Sequence, residues 1–167
     1  MTQDLKIRPY AESDSTALAE IYGPYVLTTA ITFEYEPPTA AEMHRRMAAL
    51  MVKGLPCIVA EDGEGTVVGY AYVHPWKERA AYSPTVENSV YLRMGCEGRG
   101  IGKALMDNII SSCRQLGLKN IIACITGSNS ASFAFHKRLG FSQVSLFSKV
   151  GYKFGEYHDV IDLQLHL

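Results

Sequence analysis

The sequence predicts an α/β fold, a mixed α+β arrangement in which helices flank a central sheet. Three observations support this fold class. Strand-like and helix-like apolar patterns alternate along the chain, as expected when helices cover the faces of a sheet. A glycine-rich turn joins a strand to a helix, and a continuous apolar run at 121–125 is typical of a strand covered on both faces. The length of 167 residues fits a single domain over residues 1–167 with one core.

The N-terminal third contains one strand and two helices. The pattern predicts a strand over Lys6–Pro9 and then a helix for which Ser13 and Asp14 offer an N-cap. A second helix is expected to begin at Thr39, because Thr39 and Glu42 have the spacing of a capping box. A glycine and a proline at 54 and 56 end this helix.

The remaining elements continue the sheet and add one long helix. Strands at 57–61 and 67–74 form a hairpin around a turn rich in glycine and acidic residues. A helix over 101–116 has an apolar residue at every fourth position, namely Ile101, Leu105, Ile109 and Cys113. The run at 121–125 predicts a central strand, and the alternation of polar and apolar residues at 160–167 predicts a strand at the sheet edge.

Composition excludes several classes of function. The formal net charge of −1 and the pI near 6.5 provide no basic field for nucleic acid or an anionic membrane. The start of the chain has no apolar signal segment, and no stretch approaches the roughly 20 apolar residues that span a bilayer. We therefore expect a cytoplasmic protein without a membrane partner. The four cysteines form no C-x-x-C pair, so we expect reduced, mostly buried thiols. The five histidines do not have the spacing of metal ligands, so we expect no metal.

The most informative stretch is the glycine-rich turn at 97–103, Glu-Gly-Arg-Gly-Ile-Gly-Lys, between a strand and an amphipathic helix. A helix N-terminus presents unpaired N–H groups, and glycines let a diphosphate approach the backbone, so this context predicts an anion cradle. The turn does not match a dinucleotide-binding G-x-G-x-x-G motif, because Lys103 stands where glycine is required. It does not match a P-loop either, which requires glycine at Glu97 and Ser or Thr at Ala104. A tight strand-to-helix connection without a ligand is the alternative.

The x-x-G-x-G pattern that remains resembles the coenzyme A turn of the GNAT superfamily of N-acyltransferases, usually Gln/Arg-x-x-Gly-x-Gly/Ala. The resemblance implies acetyl-CoA as co-substrate and a mixed, mostly antiparallel sheet that is splayed near its middle. Glu97 departs from the Gln/Arg position, and its carboxylate, repulsive beside a diphosphate, is expected to point outward or to pair with Arg99 or Lys103. The implied coenzyme-binding residues are Val90, Tyr91, Leu92, Glu97, Gly98, Arg99, Gly100, Ile101, Gly102, Lys103, Asn129 and Ser132.

Two residues further along match other positions of that superfamily. An Asn at the start of a later helix binds the pantetheine arm, and a residue about two turns on protonates the departing thiolate. These positions fall on Asn129 and His136. An ordinary N-cap is the alternative for Asn129, and a half-buried helical histidine is the alternative for His136. A backbone N–H of the strand at 89–92 is expected to meet the oxyanion.

Longer segments, at 28–34, at 76–82 continuing into 85–91, and at 151–160, resemble the phosphinothricin N-acetyltransferase group. That group acetylates the α-amine of amino-acid-like molecules such as phosphinothricin, methionine sulfoximine and methionine sulfone, and its members are usually homodimers. Glu87 matches the acidic residue of a Thr-Val-Glu motif proposed as general base, the alternative being an exposed charge at a strand start. The implied acceptor-binding residues are Phe33, Glu34, Trp76, Lys77, Arg79, Tyr82 and His158.

These features predict an acetyl-CoA-dependent N-acetyltransferase that acts on a small amino-acid-like acceptor by direct transfer. Lys77 and Arg79 match basic positions beside the acidic group of the acceptor, the alternative being solvated loop charges. A rival function is acetylation of a protein N-terminus or a polyamine, although a polyamine pocket needs acidic rather than basic residues. Another rival is a non-catalytic acyl-CoA-binding module, which would lack the base and the acid that Glu87 and His136 provide.

Overall fold

A computed structural model describes residues 4–167. Its strands are β1 Lys6–Pro9, β2 Cys57–Glu61, β3 Val67–Pro75, β4 Thr85–Leu92, β5 Asn120–Thr126, β6 Ser142–Lys153 and β7 Glu156–His166. Its helices are α1 Ser15–Thr28, α2 Ala40–Val52, α3 Ile101–Gln115 and α4 Ser130–Arg138, with short 3₁₀ helices at Glu12–Asp14 and Ala80–Tyr82. Residues 1–3 of the predicted domain lie outside the described residues.

The seven strands form one sheet in the order β1-β2-β3-β4-β5-β7-β6. Neighbouring strands are antiparallel except β4 and β5, which run parallel. Only the first residues of β4 and β5 pair, from Thr85 with Asn120 to Glu87 with Ile122, so the strands diverge beyond Glu87. The predicted mixed, mostly antiparallel and splayed sheet is confirmed, and the divergence opens a gap in its middle.

Each face of the sheet is covered by helices and has its own core. On one face α3 buries the predicted apolar stripe, and Leu105 and Ile109 are fully buried beside Phe141. On the other face α1 and α2 bury Ile21 and Met47 against the sheet. Burial of such side chains contributes about 1.5–3 kcal/mol each, so both faces hold the strands in register.

The predicted helix starts are partly correct. Ser13 and Asp14 lie in the short 3₁₀ helix, and α1 begins at Ser15. The Asp14 carboxylate caps no N–H of α1, because it is held by the guanidinium of Arg8 at 2.8 Å. At α2, the Thr39 side chain accepts the N–H of Glu42 as predicted, while the Glu42 carboxylate pairs with two arginines of the same helix.

The predicted sheet edge is wrong. Strand β7 lies between β5 and β6, and the edge is β6, which the sequence pattern did not predict. Strand β6 was not predicted because most of its side chains are exposed, so its sequence does not show the alternation of apolar and polar residues that marks a half-buried strand. The strand at 121–125 is also not covered throughout, because Cys124 is exposed where β4 and β5 part. The four cysteines are free thiols as expected, but only Cys57 and Cys113 are buried, while Cys96 is half-buried and Cys124 is exposed, so the prediction of mostly buried thiols is correct only in part.

Within 4–167, no helix combines the length and the apolar character needed to cross a membrane. The same residues contain no cluster of three or more His, Cys, Asp or Glu side chains that could hold a metal ion.

Candidate active site

A cleft of about 760 Å³ passes through the gap between β4 and β5. Its walls come from both faces of the sheet, because the strands have no partner there. On the α3 side they include the glycine-rich turn and α4, and on the α1 side the segment 31–33 and Glu87. The cleft is therefore open to one ligand from each face, with the diverging strands between them.

The glycine-rich turn has the geometry of an anion site. Gly98 and Gly100 have φ of +73° and +79°, a left-handed conformation that L side chains rarely adopt. Gly100 is the N-cap of α3 and has no side chain to cap it, and the first helical bond runs from Ala104 N–H to Gly100 O at 3.0 Å. The N–H groups of residues 101–103 thus precede the first intrahelical bond and face the cleft end of a 15-residue helix.

The charged residues of this turn differ from expectation. Glu97 is exposed at the border of the cleft, and its carboxylate accepts the N–H of Gly95 at 2.8 Å instead of pairing with Arg99 or Lys103. Arg99 lies outside the cleft wall and donates to the sulfur of Cys96 at 3.7 Å. Lys103 lines the cleft and is paired with Asp107 along the helix.

Strand β4 directs backbone donors into the gap. The N–H of Arg93 donates to Val68 O of β3 at 2.8 Å, and successive N–H groups of a strand point to opposite sides. The N–H groups of Val90 and Leu92 therefore point away from β3, toward the gap that Val90, Tyr91 and Leu92 line. These N–H groups are the candidates for holding the pantetheine arm and the thioester carbonyl.

Helix α4 contributes Asn129 and Ser132 to the cleft. The Asn129 side chain accepts the N–H of Ser132 at 3.2 Å, so Asn129 is the N-cap of α4 as well as a wall residue. The N-cap is thus observed, and it uses one oxygen lone pair and leaves the amide N–H₂ group, so the contact with the pantetheine arm stays a prediction that this cap does not block.

His136 lines the cleft but is only 3% exposed. Its Nδ1 lies 2.9 Å from the Ser132 carbonyl, which can only accept, so Nδ1 bears the proton. Its Nε2 then accepts from the Asn88 amide at 3.1 Å, and burial lowers the pKa of His136. Both ring nitrogens are engaged, so the geometry argues against the expected acid, because neither offers a proton to the cleft.

Glu87 lies on the opposite face from His136. It is the last β4 residue paired with β5, and its neighbours Val86 and Asn88 are buried on the α3 face. Its side chain is 24% exposed, lines the cleft, and lies 3.7 Å from Nε2 of His74. Cys124 is exposed to the cleft, but the surrounding protein still desolvates its thiol, and this desolvation and then the charges of Glu87 and Asp162 raise the pKa of the thiol to about 12.

The segment before α2 supplies another wall of the cleft that Glu87 lines. Phe33 lines the cleft, and the chain just before it is tied to the sheet at two points. The hydroxyl of Thr126 donates to Ala30 O at 2.7 Å, and the buried amine of Lys153 donates to Thr32 O at 2.8 Å. This wall is therefore held by β5 and β6 together.

Glu34 follows this wall but does not line the cleft. Arg46 binds its carboxylate through two nitrogens, at 2.6 and 3.1 Å, and Tyr22 donates a third hydrogen bond. Burial acts to raise the pKa of Glu34, but these hydrogen bonds offset it and hold the pKa below its usual value. Glu34 thus anchors the segment to α1 and α2, and these three hydrogen bonds occupy its carboxylate oxygens.

Five other expected acceptor residues lie outside the cleft wall, namely Trp76, Lys77, Arg79, Tyr82 and His158. The Lys77 amine lies 4.4 Å from the ring centroid of Trp76 and 5.2 Å from that of Tyr82. His158 contacts the Lys153 carbonyl through Nε2 at 3.1 Å. Arg79 is exposed in the loop between β3 and β4.

The sequence reasoning missed other parts of the wall, including Tyr25, Ile31, Thr32, Asn88, Ser89, Cys124, Phe135 and Arg138. One signal was available for Asn88, a polar residue at a core-facing position of a strand. Cys124 had no such signal, because its exposure depends on the divergence of two strands that are distant in sequence.

Comparison with known proteins identifies close relatives. The profile of the acetyltransferase (GNAT) domain matches residues 7–161. A phosphinothricin N-acetyltransferase of Alcaligenes faecalis is 36% identical over 95% of this chain and 80% of its own length. An L-methionine sulfoximine/L-methionine sulfone acetyltransferase of Pseudomonas paraeruginosa is 34% identical over 96% and 94%. The crystal structure of a Sinorhizobium meliloti phosphinothricin acetyltransferase with acetyl-CoA is 38% identical, with a TM-score of 0.95, covering 100% of this chain and 89% of that one.

Proposed function

The chain belongs to the GNAT family of acetyltransferases, and on that premise we propose that it acetylates the α-amine of a small amino-acid-like acceptor. Acetyl-CoA is the acetyl donor. Phosphinothricin, methionine sulfoximine and methionine sulfone are the acceptor type that the relatives' names support. The observation that supports the reaction most is the cleft through the sheet, which joins an anion site on one face to Glu87 on the other.

The coenzyme binds on the α3 side in this proposal. Its diphosphate lies on the N–H groups that begin α3, where Gly98 and Gly100 leave the backbone uncovered. The pantetheine arm passes between β4 and β5, with Asn129 as a partner. Val90 N–H is the donor for the thioester oxygen, whose negative charge grows as the amine attacks.

Glu87 is the general base. An α-ammonium group must lose a proton before its nitrogen can attack, and a positioned carboxylate contributes on the order of 10² to 10⁴ in rate. The high pKa of Cys124 makes this thiol a poor nucleophile, which supports direct transfer rather than an acetyl-cysteine intermediate. As the C–S bond breaks, the coenzyme leaves as a thiolate and takes its proton from water, since the Nδ1 proton of His136 is held by the Ser132 carbonyl and its Nε2 accepts from Asn88.

Glu87→Gln tests the base. The amide keeps the shape and loses the basicity, so turnover of methionine sulfone should fall by about 100-fold near pH 7, with partial recovery as pH rises. The dissociation constant for acetyl-CoA should not change. Glu78→Gln, in the exposed loop after β3, is the matched control and should keep full activity. Turnover by Glu87→Gln at the parental rate across about pH 6 to 9 would make Glu87 structural.

A substrate panel tests the acceptor class. The purified protein is mixed with acetyl-CoA and methionine sulfone, phosphinothricin, a polyamine or a peptide with a free N-terminus, and the released thiol is measured. We expect the amino-acid-like acceptors to have the highest kcat/KM. A preference for the peptide or the polyamine would replace the proposed class, and no turnover with any acceptor would favour the acyl-CoA-binding module.

Arg79 is the proposed partner of the acceptor carboxylate, with Lys77 as a weaker second. Both lie in the loop that follows β3 directly after His74 and Pro75, which pair with Glu87 and Val86. Arg79→Ala should raise the KM for methionine sulfone more than for a decarboxylated amine. Equal losses for the two acceptors would exclude carboxylate recognition.

We also propose one acetyltransferase domain over 1–167 that forms a homodimer in the cytoplasm. The edge strand β6 is long and exposes apolar side chains, with Leu146 57% and Val150 61% exposed, which supports pairing with a second copy. Free thiols and the use of acetyl-CoA support the proposed location in the cytoplasm.

Light scattering tests the proposed dimer. The variant Val150→Asp should be a monomer, whereas Val52→Asp, at a position 89% exposed on α2, should remain dimeric. A monomeric parent protein would exclude the dimer.

A further inference from the structure

His74 and Glu87 form a cross-strand pair where β4 and β5 part. They are directly opposite each other in the antiparallel ladder of β3 and β4. Their neighbours Val73 and Asn88 are buried on the α3 face, so His74 and Glu87 share the other face. Nε2 of His74 lies 3.7 Å from Oε1 of Glu87.

The imidazole is oriented by its own backbone. Nδ1 of His74 lies 2.9 Å from the carbonyl of Pro75, which can only accept, so Nδ1 carries a proton in both charge states. Nε2 is therefore the atom that gains or loses a proton, and it is the atom that faces Glu87. The His74 side chain is 36% exposed and that of Glu87 is 24% exposed, so the histidine has the better access to water.

The groups around His74 favour its charged form. Glu87 faces His74 from β4, and the ring centroid of Tyr72 on β3 lies 6.3 Å from that of His74. Lys53, just after α2, is a positive charge that acts on the imidazole. Burial and Lys53 lower the pKa of His74, but the contact and the charge of Glu87 offset them, so the pKa lies above its usual value. On the far side of Glu87, Cys124 is an uncharged thiol. Glu87 is thus the anionic partner of His74.

We propose that His74 is a positioning residue for Glu87, which holds the carboxylate in place and takes over the proton that Glu87 removes from the acceptor. This inference rests on the proposed role of Glu87. The acceptor N–H bond breaks as a Glu87 O–H bond forms. That O–H bond then breaks as the Nε2–H bond of His74 forms, and the imidazolium releases this proton to water. Glu87 is a carboxylate again for the next turnover.

The pH dependence of His74→Gln tests the relay. At high pH the histidine is neutral and can accept the proton, so the variant should lose about tenfold in kcat/KM for methionine sulfone. At low pH His74 already bears its proton and cannot accept another, so only the loss of its contact with Glu87 remains and the ratio of parent to variant should be smallest there. The ratio of parent to variant is therefore expected to rise across about pH 6 to 9. A constant or falling ratio, or no loss at all, would overturn the proposal.

A matched control and a second readout separate this role from general damage. His44→Gln removes another histidine beside a carboxylate, with Nε2 3.9 Å from Glu12, away from the cleft, and should leave the profile unchanged. In NMR titrations without substrate, Glu87→Gln should lower the pKa of His74, and an unchanged titration would overturn the pairing. If Glu87→Gln is inactive while the ratio of parent to His74→Gln in kcat/KM does not change with pH, the proton relay is excluded and the proposed base is retained. If Glu87→Gln is fully active, the proposed base fails as well.

Discussion

Replacing Gly100 by valine separates the coenzyme site from the fold. At φ of +79° an L residue costs about 1–2 kcal/mol, so the free energy of unfolding should fall by at least that amount. For a chain of this size the melting temperature should fall by about 2–8 °C. A Cβ at this position meets no protein atom within 4 Å, so the folded structure has room for the side chain. In the proposed complex, the diphosphate approaches the start of α3 through this room.

The effect on coenzyme binding should be larger than the effect on stability. Losing one hydrogen bond to a charged phosphate costs about 1.5–3 kcal/mol, which corresponds to roughly 10- to 150-fold in the dissociation constant. Gly54→Val is the matched control, because Gly54 has φ of +73°, no neighbour within 4 Å and no place in the cleft wall. We expect calorimetric titration with acetyl-CoA to show weaker binding for Gly100→Val and parental binding for Gly54→Val. Parental affinity in a folded Gly100→Val would refute the phosphate role of this turn.

Three further changes test the loop, the acceptor wall and the fold. Glu97→Gln keeps a hydrogen-bond acceptor for the Gly95 N–H and removes a negative charge from the cleft. Acetyl-CoA should therefore bind up to about tenfold more tightly at low salt, with a smaller gain at high salt. Weaker binding by the variant at low salt would contradict the repulsion by Glu97. In Gly151→Ala the new Cβ would lie 2.3 Å from the Phe33 ring, so the ring should move. The KM for the acceptor should then rise, while the affinity for acetyl-CoA should not change. An unchanged KM would exclude Phe33 as part of the acceptor site. Arg8 holds the pKa of Asp14 below its usual value, so the stability advantage of the parent over Asp14→Asn should be full above about pH 5 and should shrink below about pH 4. Urea unfolding across this range measures it, and a difference independent of pH would contradict the ion pair.

The local elements were predictable because their signals are local. The apolar stripe of α3 has a helical period, and the residues just before the helix include glycines in left-handed conformations. A short stretch of sequence therefore predicts both the helix and the proposed anion site. The bounds of β1 and of the β2–β3 hairpin follow from alternation and turn composition for the same reason. Of the candidate site, the turn was located from this local signal, whereas Asn129, Phe33 and Glu87 were located through family resemblance. These three residues line the cleft, as does the turn except for Arg99.

Only the tertiary structure decided which strands are neighbours and which side chains meet. Strand β7 is internal because the exposed β6 pairs with it, and Cys124 is exposed because β4 and β5 diverge. Glu34 is held by Arg46, the ring of His136 is held between Asn88 and Ser132, and His74 faces Glu87. Each of these contacts joins residues whose distance is set by strand register or by the packing of helices on the sheet. Local periodicity specifies an element and its buried face, whereas the partners across that face depend on interactions between distant segments of the chain.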